Sequence, residues 1–270
     1  MKILITLLLA ASLCLPLHVF GGDSETITVS NEISSGFKRL SCESVDFLTT
    51  PFQLKNNNLF ITSGLLGVTA LTYIYDKDIQ KKLQTIHSNK MDKVANAGSL
   101  AGDPFLHLGI AALVYGGGIA ADSPKWKQTG EMIGEALILA DASTFILKEA
   151  AGRGRPNTTS SKGDFKPFGF KNDYDSFPSM HTSSSFALAS VLAATSESYT
   201  MKTVYYMAAT FVGFSRIYKN KHWASDIILG AALGELSGRV VTSYHASNNK
   251  VTFAPMAIQG GAGLVMVKSW

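Results

Sequence analysis

The stretch Ser215-Arg216-Ile217-Tyr218-Lys219-Asn220-Lys221-His222-Trp223-Ala224-Ser225-Asp226 sets a histidine six residues after an arginine and four before an aspartate. If a helix starts near His222, His222 and Asp226 share one helical face. A carboxylate one turn away can then accept the ring N–H, fix its tautomer and stabilise the imidazolium. The opposite ring nitrogen is left free as a nucleophile or base. Arg216 brings a planar fork of donors suited to a tetrahedral oxyanion. Taken alone, such a pair is equally a satisfied core or surface contact.

Two further stretches carry matching chemistry. Lys148-Glu149-Ala150-Ala151-Gly152-Arg153-Gly154-Arg155-Pro156 sets a lysine on the last turn of a helix. Gly152 and Gly154 let the chain turn back, so that Arg155 converges with Lys148 on one anion. A basic helix C-terminus meeting the dipole gives the same pattern. Pro178-Ser179-Met180-His181-Thr182 opens a second helix. Its free backbone N–H groups form a ready anion site, and Ser179 adds a hydroxyl or simply caps the helix. His181 at that position reaches towards a leaving-group oxygen.

These stretches must be held by elements, and the rest of the chain supplies mostly helices. Of 270 residues, 46% are hydrophobic and only 16% charged, with a formal charge of +4. No Lys/Arg block suggests a nucleic-acid partner. Residues 1–21 read as a secretory signal: Lys2, an apolar run from Ile3 to Leu13, then Val19 and Gly21 before the cleavage point. Export places the protein in the periplasm. Cys14 leaves with the signal, and Cys42 is then the single cysteine, so no intrachain disulfide is expected. Residues 22–58 are polar and read as a loose lead-in with a short helix near Cys42 to Phe47.

Leu59–Tyr75 and Phe105–Ala121 are apolar runs of 17 residues, at the lower limit for a bilayer about 30 Å thick. A charged helix is expected from Lys77, and another from Met91 to Ala101. Ser123-Pro124 reads as an N-cap with proline at the first helical position, opening a helix to about Ala151. Residues 152–177 read as loop. Helices follow at Met180–Ser196, Lys202–Phe214 and His222–His245. The later helices carry charged residues, which favours a soluble or membrane-associated bundle over a protein of five or six thin spans. Residues 250–270 read as a β-hairpin around Gly260-Gly261.

The ordered motifs K-x6-RP, PSxH and SR-x5-H-x3-D resemble the signature of the type 2 phosphatidic acid phosphatase (PAP2) superfamily. Bacterial class A acid phosphatases, lipid phosphate phosphatases and vanadium haloperoxidases belong to it. The resemblance covers about Leu59 to His245. It implies a mainly α, haloperoxidase-like helical bundle at 59–249, hydrolysis of a phosphate ester or pyrophosphate, and no cofactor or metal. By motif, His222 is the implied nucleophile, Asp226 its orienter, and His181 the general acid. Lys148, Arg155, Ser179 and Arg216 are the implied phosphate-binding residues. Met180 stands where the motif usually has glycine; its side chain needs room and favours a negative φ.

The implied substrate is a phosphorylated lipid, an isoprenoid pyrophosphate or a small phosphate ester, and the apolar helices favour the lipid. A non-specific periplasmic acid phosphatase, a haloperoxidase and a non-catalytic phosphate-binding protein are the alternatives. His87, His107 and His245 have no partners at metal-ligand spacing in the sequence.

Overall fold

The computed structural model describes residues 29–248, 251–258 and 261–268, with side-chain environments for 34–247. The signal at 1–21, with its Cys14, lies outside the described residues. Residues up to Cys42 and residues from Glu43 onward form two compact units; the site lies wholly in the second.

Eight helices are described: α1 (Val29–Thr49), α2 (Asn58–Gln84), α3 (Asn89–Ala101), α4 (Pro104–Ala120), α5 (Pro124–Ala151), α6 (Met180–Thr195), α7 (Tyr199–Tyr218) and α8 (Ala224–Asn248). The molecule is a mainly α bundle. Two strands, β1 (Val251–Ile258) and β2 (Gly261–Lys268), pair antiparallel with Val251 opposite Lys268.

Helix starts follow local chemistry. The Ser88 hydroxyl accepts from Met91 N at the start of α3. Asp103 accepts from Phe105 N and Leu106 N, ahead of Pro104, at the start of α4. Ser123 accepts from Trp126 N at the start of α5, with Pro124 first in the helix as the sequence predicts.

Three boundaries differ from expectation. The lead-in holds a 21-residue helix, α1, rather than a short one near Cys42. Leu59–Tyr75 and the charged segment after it are one continuous helix, α2. The last long helix starts at Ala224, so His222 precedes it.

Helix α6 is central and packs on α4, α5, α7 and α8. Its small residues allow this. Gly230, Gly234 and Gly238 of α8 form a seam four residues apart, where a Cβ at Gly234 would stand 2.1 Å from Ser183 O of α6. The two helices therefore meet backbone to backbone, with Ser183, Ala187 and Ser190 buried beside the seam. Ile133, Ala136, Leu137 and Ala140 of α5 complete the interior with no exposed surface. Because α6 and α8 are locked together, their N-terminal ends, which carry the site histidines, hold a fixed relation.

Helix α2 is different. Only Thr69 and Asp76 are buried along it, while Phe60, Leu66, Leu71 and Ile74 are more than half exposed. Residues 55–84 form the one described helix long and apolar enough to cross a membrane by itself. Helices α3 and α4, bent by 52° at their junction, meet the same test as a broken pair.

Candidate active site

The end of α5 is turned by Gly152, which adopts φ 57° and donates its N–H to Lys148 O at 2.8 Å. A Cβ there would lie 1.9 Å from Lys166 O, so both the left-handed turn and the close approach demand glycine. Past the turn, Arg155 Nε and Nη2 donate to Asp175 Oδ1 and Oδ2 at 2.6 and 2.9 Å, a bidentate pair. Lys148 Nζ donates to the Asp175 carbonyl oxygen. Burial lowers the Lys148 ammonium to about 8, with Asp175 pulling it back up and Arg155 pushing it further down. Burial would raise the Asp175 carboxyl, but Arg155 and Lys148 hold it below the usual range.

His222 is almost fully buried, at 2% exposure. Its Nδ1 lies 2.6 Å from the Ser176 carbonyl oxygen. A carbonyl can only accept, so Nδ1 carries the proton and Nε2 is bare. Asp226 Oδ2 stands 3.7 Å from the same Nδ1. The expected one-turn hydrogen bond to Asp226 is thus replaced by one to a backbone carbonyl, because His222 sits before the helix rather than on it. Burial, followed by the charges of Lys148, Arg216 and Arg155, keeps the His222 ring well below its ordinary pKa and neutral.

Asp226 is engaged elsewhere. Arg153 Nη1 donates to Oδ1 at 2.5 Å, while Ser176 Oγ and Trp223 N donate to Oδ2 at 2.5 and 2.8 Å. Arg153 also donates from Nη2 to Asp76 Oδ2 at 2.7 Å and from Nη1 to Ser225 Oγ at 2.8 Å. Asp76 in turn accepts from Ser225 N and Oγ. All three charged side chains are shut from solvent. The Asp226 carboxyl is raised by burial, an effect opposed by Arg153.

His181 is the second residue of α6 and is half-buried. Burial first, then Arg216, Lys148 and Arg155, push its ring down to about 3. Ser179 N donates to Asp226 O at 3.1 Å, and Ser179 Oγ accepts from Thr182 Oγ1 at 3.0 Å. Ser179 is fully buried. Met180 takes up the first helical position without a positive φ, so the residue that departs from the motif fits its backbone. Arg216, on the last turn of α7, donates from Nη1 to Ser99 Oγ at 3.1 Å.

Lys148, Arg155 and Arg216 therefore act electrostatically on both His181 and His222, and Ser179 joins the α6 start to the backbone of Asp226. The structure brings every residue singled out in the sequence to one end of the bundle. Sequence reasoning missed Asp76, Arg153, Asp175 and the Ser176 carbonyl. Asp175 carried a signal, as an acid two residues from Asp173 within a basic loop. Asp76 directly follows the apolar run Leu59–Tyr75, a place where an acid commonly marks the polar end of a helix. A separate buried set, Glu43, Glu135 and His245, has ligand atoms within 4.8 Å of one another. There His245 Nε2 lies 2.7 Å from Glu135 Oε2, away from the histidines above.

Residues 132–250 match the PAP2 superfamily. Over those residues the chain is similar to that superfamily. The PAP2 match starts within α5 and takes in all three motifs.

Over 188 residues the chain is 29% identical to a lipid A 1-phosphatase of Porphyromonas gingivalis, covering 68% of this chain and 38% of that protein. It is 32% identical over 91 residues to a lipid A 1-phosphatase of Rhizobium johnstonii, covering 33% of this chain and 36% of that protein. It thus spans little more than a third of the length of these curated relatives.

Among solved structures, Aquifex aeolicus LpxE aligns with a TM-score of 0.50 at 22% identity, covering 62% of this chain and 94% of that one. A transmembrane PAP2 type phosphatidylglycerolphosphate phosphatase from Bacillus subtilis aligns with a TM-score of 0.51 at 19% identity, covering 77% and 96%. At these identities the likeness concerns the PAP2 fold.

Proposed function

We propose that this PAP2 protein hydrolyses a phosphate ester carried on a lipid, through a phosphohistidine intermediate at His222. The carrying observation is the His222–Ser176 hydrogen bond, which leaves Nε2 unprotonated beside three cationic side chains. Nε2 attacks phosphorus as the bond to the leaving oxygen breaks. His181 gives that oxygen its proton. Water then attacks the phosphohistidine and the P–N bond breaks, with His181 taking the water proton.

Lys148, Arg155 and Arg216 neutralise the equatorial oxygens, the main electrostatic contribution in phosphoryl transfer. Burial, and after it the cationic field, depresses His181; a bound phosphate dianion offsets the field and raises the proton affinity of the ring as substrate enters. Asp226, held by Arg153, faces the imidazolium that forms on His222. Ser179 supports the pocket wall from the α6 start.

Two observations favour a lipid substrate: the relatives named lipid A 1-phosphatases, and the exposed apolar surface of α2. We read the apolar part of α2 as membrane-embedded, with the site at its polar end. A non-specific acid phosphatase is the near alternative.

The test pairs His222→Ala with wild type on lipid A 1-phosphate, phosphatidylglycerophosphate and p-nitrophenyl phosphate, together with trapping of labelled phosphate on the protein. Wild type is expected to turn over a lipid substrate best and to trap label, and the variant to do neither. Unchanged turnover by the variant would falsify the mechanism. Preference for the soluble ester would favour the acid phosphatase.

A further inference from the structure

The segment Phe165-Lys166-Pro167-Phe168-Gly169-Phe170-Lys171 turns its aromatic rings to solvent. Phe168 and Phe170 are each 67% exposed, and Phe165 43%. Phe168 and Phe170 both have positive φ, 56° and 48°. Bulky side chains rarely adopt that conformation, so the backbone is strained at both rings. The strain is held by a rigid base. Phe168 N donates to Glu149 O at 2.6 Å, and Lys166 N to Gly152 O at 2.7 Å, at the very turn that carries Lys148 and Arg155. Arg153 and Phe165 form an antiparallel bridge. Tyr174 OH links Lys166 Nζ to Asp164 Oδ2.

Lys162, at the root of the same loop, donates to Tyr73 O and Ile74 O of α2 at 2.8 and 2.6 Å. Those residues end the exposed apolar stretch of α2, and the next turn begins Asp76-Lys77-Asp78. From Phe60 to Tyr75 that stretch is about 23 Å long. The loop therefore sits where α2 passes from apolar to charged. Phe168 and Phe170 lie between Lys166 and Lys171, a pairing of aromatic and basic side chains suited to the headgroup level of an anionic bilayer.

We propose that residues 165–171 are an interfacial anchor. Phe168 and Phe170 enter the outer edge of an anionic lipid surface, Lys166 and Lys171 meet its headgroups, and the mouth of the phosphate site is held there. This rests on the membrane reading of α2 and not on the chemistry at His222.

The test uses the full chain reconstituted in phosphatidylethanolamine vesicles containing phosphatidylglycerol. Tryptophan fluorescence is read with lipids brominated near the carbonyl end of the acyl chain, and the wild-type signal is subtracted. Phe168→Trp and Phe170→Trp are expected to lose fluorescence, and to lose less when phosphatidylglycerol is replaced by phosphatidylcholine. Asn157→Trp, exposed on the same loop, is the aqueous control, and Leu66→Trp on α2 the membrane control.

Quenching at 168 and 170 no greater than at 157 overturns the anchor. If Leu66→Trp is quenched in that case, α2 remains in the membrane and only the anchor falls. If it is not, both fall.

A kinetic arm adds Phe168→Ser/Phe170→Ser. KM for a vesicle-borne phosphate is expected to rise roughly tenfold as two rings lose their apolar contact, with kcat/KM on p-nitrophenyl phosphate unchanged. An equal loss on both substrates would mark a folding defect at the loop and overturn the anchoring role.

Discussion

His222 donates a hydrogen bond from Nδ1 to the Ser176 carbonyl, 2.6 Å away, while Asp226 stays 3.7 Å from that nitrogen. A backbone group on the loop before α6 thus sets the tautomer, and in the proposed mechanism the carboxylate balances the charge that develops on His222.

The consequence is separable by mutation. Asp226→Asn should keep the Nδ1–H tautomer, read by nitrogen NMR, yet lower kcat by about 10²-fold through lost stabilisation of the phosphoimidazolium. His222→Ala should abolish turnover. Loss of the tautomer in Asp226→Asn would assign its control to the carboxylate.

Arg153 lies between the buried carboxylates of Asp76 and Asp226 and pairs with both. Arg153→Met leaves both acids buried without it, a change expected to cost about 3–5 kcal/mol of stability. The sign with pH follows from burial, which already raises the Asp226 carboxyl. In the variant the folded-state carboxyl pKa lies further above its unfolded value. The loss is therefore greatest at neutral pH and shrinks as acid protonates Asp226. Denaturant unfolding at pH 7 and pH 5 checks this.

Lys148, lowered to about 8 in the free site, is charged below that pH and neutral above it. Bound phosphate favours the charged form. Phosphate affinity should therefore fall as pH rises through about 8, in addition to any change from the ion itself. Isothermal titration across pH 6.5–9.5 should show this component in wild type and its absence in Lys148→Met.

Gly234→Ala drives a methyl group into Ser183 O, 2.1 Å from the ideal Cβ position. Helices α6 and α8 must separate, at an expected cost of about 1–3 kcal/mol. The unfolding midpoint should drop, and kcat should fall because His181 and His222 ride on the two separated ends. A midpoint equal to wild type would show that the seam has slack.

The parts of this protein readable from its sequence are those whose chemistry is local. Lys148, Arg155, Ser179, His181, Arg216, His222 and Asp226 lie in short motifs at helix ends, where a cap, a glycine turn or a four-residue spacing carries meaning before folding. The helical class was legible for the same reason, through caps such as Ser123-Pro124 and through apolar runs.

What only the tertiary structure decided depends on contacts distant in sequence. Asp76 reaches Arg153 from 77 residues away, and its place after an apolar run made it look like a helix end. Burial against Arg153 and Ser225 instead lets α2 continue to Gln84. Ser176 acts through a carbonyl, which no side-chain pattern can announce. His222 was expected on a helical face, yet the helix begins two residues later, and that small offset hands its proton from Asp226 to the backbone.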